Sequence, residues 1–400
     1  MVTGMVEQAD VVIVGGGVIG SAIAVFLVAD PAFDGRVVVV ERDPTYRQAS
    51  SALSASSIRQ QFSTPENIRM SRFGFDYLSD LPRHLAIDEP DEAAPGIGLV
   101  ERGYLYLASP AAETAMREAH EIQLREGADV ALLEPDALAD RFPWLSVEGV
   151  ALGSLGVRGE GWFDGYALTR AFRRKAQSMG AVYLAAEVVG LRRIGARVEA
   201  VELADGAVIA CGLVVDAAGP WAGLVAAMAG VALPVEARRR CVFAFEAADP
   251  PVDPPLVIDP SGAWFRTEGG AFIGAIPPTE ADDLADLPLE VDVRLWESAL
   301  WPVLAARVPA FDALRRTGGW AGYYEMNTFD HNAILGPHPE VTNLLFANGF
   351  SGHGIQHAPA VGRAIAERIV YGRYVSLDLS VFGYERIAAG RPVVERNVIG

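Results

Sequence analysis

Lysine is almost missing from this chain. Of its 33 basic residues only Lys175 is a lysine, so no mechanism can lean on an amine side chain elsewhere. Cysteine is nearly as scarce: Cys211 and Cys241 lie far apart with no C-x-x-C spacing, which excludes a disulfide framework and a cysteine zinc site and fits a reducing cytoplasm. Basic runs of five or more are absent and the net charge is −18, so nucleic acid and anionic lipid headgroups are not expected partners. Long apolar runs are missing too, with one apparent exception. Val11 to Ala29 carries no charge, but it contains Gly15, Gly16, Gly17 and Gly20, follows the acids Glu7 and Asp10, and ends at Asp30-Pro31. A membrane span or a signal core is therefore not expected; the segment reads as a buried strand, a tight turn and a buried helix.

What is present points to two domains, because 400 residues with 51% hydrophobic content supply a core for each. Val11 to Val14, Ser21 to Ala29 and Arg36 to Val40 form a β-α-β unit. A helix is expected from about Asn67 to Leu85, closed by Pro82, and the acidic, Pro- and Gly-rich stretch Asp88 to Gly98 marks a crossing into the second domain. Further helices are expected at Ala111 to Glu126, Pro135 to Phe142, Tyr166 to Met179, Val291 to Arg307 and Ala358 to Tyr371. Three strand-like runs, Val182 to Leu184, Val198 to Leu203 and Gly212 to Val215, mark the return of the first domain. The first domain is expected to comprise residues 1–87, 150–233 and 318–400, and the second 88–149 and 234–317.

Gly15-x-Gly17-x-x-Gly20 stands between a strand and a helix, with Glu41 at the end of the next strand. Gly15 permits the tight turn, Gly17 lets backbone approach a pyrophosphate, and Gly20 allows close packing, while the N-terminus of the following helix attracts phosphate; Val18 and Ile19, within this turn, are expected at the cofactor site. The Glu41 carboxylate accepts ribose hydroxyls. Arg42 reads as a solvated surface arginine, since a 2′-phosphate is the lesser alternative. This fingerprint serves NAD and FAD alike, and the strand Val214-Val215-Asp216 running into Ala217-Ala218-Gly219-Pro220-Trp221 favours FAD, because its small residues let backbone pass against the cofactor.

Ala218-Gly219-Pro220-Trp221, Gly319-Trp320-Ala321-Gly322 and Gly349-Phe350-Ser351-Gly352-His353-Gly354 resemble the later signatures of the D-amino-acid oxidase superfamily, which includes glycine and sarcosine oxidases. Within it, Ile58 to Ser63 and the tail from Tyr323 to Ala364 most resemble bacterial relatives of the mitochondrial complex-I-assembly flavoprotein. The resemblance covers nearly the whole chain. It implies an α/β fold: a Rossmann-like FAD-binding domain, discontinuous in sequence, with an inserted, mainly antiparallel substrate sheet of α+β character. It also assigns Val188, Ala218, Gly219, Trp221, Gly322 and Ile355 to the cofactor site. Ser50, Ser51, Ser54 and Ala55 would line the isoalloxazine, and Gly352, His353 and Gly354 would stabilise charge on its reduced form. Relatives tether FAD through a cysteine where Gly322 stands or through a histidine where Ser50 to Ser57 has none, so FAD is expected to be noncovalent.

The same resemblance implies a small amino-acid-like substrate oxidised at its C–N bond by hydride transfer. Arg59 matches an arginine that binds substrate carboxylate, and Tyr324, Gln356 and His353 complete the expected catalytic group. Gln356 stands where sarcosine oxidases carry a lysine, and Tyr324 where glycine oxidases carry an arginine, so simple glycine and sarcosine are not the expected substrates. With Lys175 in an arginine-rich helix, no lysine is expected beside the flavin. A dehydrogenase is therefore expected before a fast oxidase, with a carrier or O2 as acceptor and room for a partner subunit. The alternatives are a non-catalytic FAD-binding assembly factor and an FAD-dependent 2-hydroxy-acid dehydrogenase using His353 as base. His353 and His357 have no third ligand at suitable spacing, so no metal is expected.

Overall fold

The computed structural model describes residues 7–87 and 95–396. Most of the crossing expected at Asp88 to Gly98 falls on 88–94, outside the described residues. The β-branched strand Gln8–Val14 lies between Val37–Glu41 and Val208–Asp216 and is parallel to both. Its unbroken apolar run Val11 to Val14 is what a strand covered on both faces requires. From one edge, the order is Ile334–Pro337, Leu344–Asn348, Val208–Asp216, Gln8–Val14, Val37–Glu41 and Val182–Ala185. Only Ile334–Pro337 pairs antiparallel along this path. Helix Val18–Ala29 packs between Gly165–Ser178 and Gly354–Tyr371. The second of these contacts is close: a side chain at Gly362 would come within 2.8 Å of Ala22 Cβ.

Several expected boundaries move. The return of the first sheet has four strands rather than three, because Val188–Ile194 pairs antiparallel with Arg197–Leu203, which in turn pairs with Val208–Asp216. Val188–Ile194 escaped notice because it buries only Val188 and Leu191, and its Arg192-Arg193 pair reads as a turn. Pro82 does not end a helix. It sits in the first turn of a new short one, Leu81–Leu85, after Pro65–Ser79, a position where its missing N–H costs nothing. The last helix starts at Gly354 with Pro359 inside it, four residues before the expected start.

The second sheet runs Arg315–Asn327, Val235–Glu246, Ala271–Ala275, Trp264–Glu268, Leu256–Ile258, Tyr104–Ala108, Leu152–Gly156 and Val130–Leu133. It is antiparallel except where Leu256–Ile258 meets Tyr104–Ala108. One face buries Phe243, Phe245, Phe265, Phe272 and Phe311 under the helical stretch from Val293 to Arg307. Divisions at 150 and 318 would cut this sheet, since Leu152–Gly156 is one of its strands and Arg315–Asn327 pairs with Val235–Glu246 from end to end. Glycines 318, 319 and 322 hide that strand from a propensity reading. Among the described residues no helix is long and apolar enough to cross a membrane.

Candidate functional site: a dinucleotide cleft and an arginine pocket

The first turn is built as its glycines require. Gly15 has φ +100°, and a side chain there would strike Ala217 O at 2.3 Å; one at Gly20 would strike Gly15 O at 2.0 Å. Gly17 differs, because the nearest atom to a Cβ placed there is Ser51 Oγ, at 3.5 Å. That glycine keeps clear a space in front of helix Val18–Ala29, whose first turn has neither an acidic residue nor a side-chain cap. Its free amides and dipole favour a pyrophosphate there. Glu41 accepts from Gly16 N and Asp43 N, both at 2.8 Å. Burial raises its pKa against the pull of those two bonds. Arg42 is exposed but not idle: its guanidinium lies 3.5 Å from the ring centroid of Trp221. With Val188, Ala218, Gly219, Glu41 and Gly17 they line a cavity.

A second cavity shares Val18, Ile19, Ser50, Ser51 and Glu325 with the first, so the two form one cleft between the sheets. Ser54, Ala55, Gly322, Gly352, Gly354 and Ile355 line its near side. The Ser50 to Ser57 segment is fixed by three bonds to the second sheet: Ser50 Oγ to Tyr323 O at 2.6 Å, Trp320 Nε1 to Leu53 O at 2.8 Å, and Arg266 to Ala55 O at 2.6 Å. A side chain at Gly322 would meet Leu53 Cβ at 2.9 Å, and neither Gly322 nor Ser50 to Ser57 supplies a cysteine or histidine. The open glycine turn before a helix N-terminus, the acid at the end of the next strand and the second chamber joined to the first fit FAD.

At the far side stands Arg59, 7% exposed. It makes no ion pair among the described residues, and its Nε has no partner. Glu160 and Glu395 act on it only through space. One guanidinium nitrogen donates to His353 Nε2 at 2.9 Å. Arginine only donates, so that nitrogen accepts and the ring proton sits on Nδ1. Burial, then the Arg59 charge, depress the His353 pKa well below the ordinary range, and the imidazole stays neutral. Gln356 Oε1 accepts from Arg59 N at 2.9 Å and from Ser71 Oγ at 3.3 Å, so Gln356 holds the arginine's backbone and its carbonyl is not free for a substrate amine. Tyr324 lines the cavity beneath Arg240, and its ring would collide with any side chain at Gly352, which has φ +98°. His357 turns away to Ser71 Oγ at 3.0 Å.

Four functional candidates were not found by reading the sequence. Arg240 lines the pocket and is bound by Asp283 at 2.7 Å. Trp264 closes the apolar wall with Leu256, Ile258 and Ile276. Glu325 is, among the described residues, the only acid lining the second cavity. Fully buried Glu160 accepts from Gln60 N at 2.6 Å, Gln61 Nε2 at 2.8 Å and Tyr104 N at 3.2 Å, tying the Arg59 segment to the second sheet. Burial pushes its pKa up to about 7. All three of its partners donate, so Glu160→Gln would turn an amide N–H toward an N–H. We expect it to lower unfolding free energy by about 1–3 kcal/mol, the cost of an unmet buried group, as measured by denaturant titration. The sequence signal was faint: an acid between two glycines in a turn.

Lys175 lines neither cavity; its Nζ donates to Ala86 O at 2.7 Å. Among the described residues no cluster of three or more His, Cys, Asp or Glu has the arrangement of a metal site.

Residues 10–368 match the DAO family, FAD dependent oxidoreductase, and the chain belongs to it. FAD is its cofactor, and the α/β dinucleotide fold with a second, mostly antiparallel sheet agrees with the sequence expectation. The chain is similar to FAD-dependent oxidoreductase domain-containing protein 1 of Xenopus laevis, 44% identical over 98% of this chain and 85% of that protein. It is also 28% identical to glycine oxidase of Geobacillus kaustophilus, over 96% and 98% of the two chains. Its fold superposes on the crystal structure of L-proline dehydrogenase from P. horikoshii with a TM-score of 0.85 and 27% identity, covering 97% of this chain and all of that one.

Proposed function

We propose that this FAD-dependent oxidoreductase oxidises the C–N bond of an amino acid or N-substituted amino acid and passes the electrons to a carrier rather than rapidly to O2. The observation that carries the reading is Arg59: a buried cation without an ion-pair partner, at the wall of a cavity, requires an anion from its ligand. A planar carboxylate fits its fork. The flavin, when bound, accepts the hydride from the carbon beside the substrate nitrogen. The chain's residues do the rest. Glu160 and Gln356 fix the Arg59 segment, and His353, through its Nε2, holds the guanidinium. Leu256, Ile258 and Trp264 exclude water from the reacting carbon, and Tyr324 presents a hydroxyl with no bond to any other described residue.

A 2-hydroxy acid fits less well, because its oxidation needs a base for the hydroxyl proton. His353 Nε2 is already occupied by Arg59. An amine needs no such base once it is neutral. The absence of a lysine from both cavities supports the dehydrogenase reading. The test is steady-state turnover of N-methyl, cyclic and D-amino acids with an artificial electron acceptor, and then with air alone. Turnover with the acceptor that is at least tenfold faster than in air is the expected result. Equal or faster turnover in air, with peroxide formed, would overturn the dehydrogenase assignment.

A further inference from the structure

Glu325 lies on strand Arg315–Asn327 where the two cavities meet and lines both. Two glycines from the cofactor signatures leave room around it. A side chain at Gly219 would come 3.9 Å from its Oε2, and one at Gly354 would come 3.2 Å from its Oε1. Among the described residues its carboxylate accepts a hydrogen bond only from Gly349 N, at 3.2 Å. Its charge is felt by Asp216, wholly buried at the end of the central strand, whose Oδ1 accepts from Ala218 N at 3.1 Å and whose Oδ2 has no partner among the described residues. Each of these carboxyl groups thus has one backbone donor, and among the described residues neither forms an ion pair.

The surrounding charges do not relieve this. On Glu325's own strand the flanking residues are Tyr324 and Met326, and on the paired strand Ala237 stands opposite it between Glu236 and Arg238, which bind each other at 2.6 Å. The loop before the last helix offers His353, held neutral by burial and Arg59. The cations of the cleft are engaged elsewhere: Arg240 by Asp283, Arg59 by His353, and Arg42 on the Trp221 ring. Cofactor binding brings a diphosphate, two further negative charges, into the same cleft.

We propose that Glu325 meets bound FAD as a protonated acid that donates a hydrogen bond to the cofactor, so that FAD capture takes up a proton. Without cofactor, burial pushes Glu325 up to about 8, and burial followed by the nearby Glu325 charge pushes Asp216 well above the ordinary carboxylate range. The sign follows. Below about pH 8 the acid already carries its proton and binding exchanges none. Above it, FAD must bring a proton in, and affinity falls as pH rises.

The test reads FAD binding, not turnover. The holoprotein is diluted at pH 7 to 9.5 and Kd is taken from the fluorescence of released FAD; proton uptake is counted by calorimetry of FAD re-addition in two buffers of different ionisation enthalpy. The wild type is expected to weaken toward tenfold per pH unit above about pH 8, with uptake rising from near zero toward one proton. Glu325→Gln keeps a donor without an ionisation and is expected to hold FAD with a nearly flat Kd. Loss of affinity with pH as steep in Glu325→Gln as in the wild type would overturn the proposal. So would a wild type that takes up no proton at pH 9, an outcome that decides the matter even if the variant fails to fold.

Discussion

Gly17→Val is expected to leave the fold intact and weaken FAD binding at least a hundredfold, about 2.8 kcal/mol at ~1.4 kcal/mol per tenfold. The glycines of the fingerprint separate by what a side chain would meet. At Gly15 and Gly20 it meets backbone oxygens at 2.3 and 2.0 Å, so substitution disturbs the turn itself and says little about the ligand. At Gly17 it meets only Ser51 Oγ at 3.5 Å, and its φ of −62° is ordinary for any residue. The isopropyl group would stand in front of the free amides of helix Val18–Ala29 and displace the pyrophosphate. Purified Gly17→Val should therefore be colourless and folded, with a circular dichroism spectrum matching that of apo wild type. A yellow Gly17→Val with wild-type affinity would mean the phosphates lie elsewhere.

Arg59→Met is expected to retain FAD and weaken substrate binding by roughly ten- to hundredfold, because a hydrogen bond to a charged partner is worth about 1.5–3 kcal/mol. Arg59→Lys should recover part of the loss only, since an ammonium keeps the charge but not the fork. The charge of Arg59 is the second cause, after burial, of the depressed His353 pKa. Its removal should raise the pKa of the imidazole, which nuclear magnetic resonance titration of His353 would register. Anaerobic flavin reduction at varied substrate gives the binding term. An unchanged dissociation constant in Arg59→Met would remove the carboxylate anchor from the account.

The cradle was legible because its parts are neighbours in sequence. Gly15, Gly17, Gly20 and Glu41 fall within one β-α-β unit, so the spacing alone states the geometry. The wall of the pocket was not. Arg59, Gln356 and Ser71 meet only because the last helix packs against helix Pro65–Ser79, and the sequence gives no hint that Gln356 faces the backbone of Arg59 rather than a substrate. Arg240 hides in the run Arg238-Arg239-Arg240, which reads as a solvated edge until Asp283 is seen to bind the third arginine. Glu325 stands in a strand that its glycines conceal, and Glu160 in a turn. Inward-facing acids of this kind are silent in a pattern of polar and apolar residues, because most of their partners are backbone amides that nearly every residue possesses.

The central claim, a flavin reduced by an amine that Arg59 anchors through its carboxylate, is tested most directly by the visible spectrum of the purified protein under anaerobic addition of N-methyl, cyclic and D-amino acids, with 2-hydroxy acids alongside. Bleaching of the oxidised-flavin bands by one amine class, and not by the hydroxy acids, is the predicted result. A flavin that stays oxidised with every amine, or is reduced by a 2-hydroxy acid alone, would contradict it.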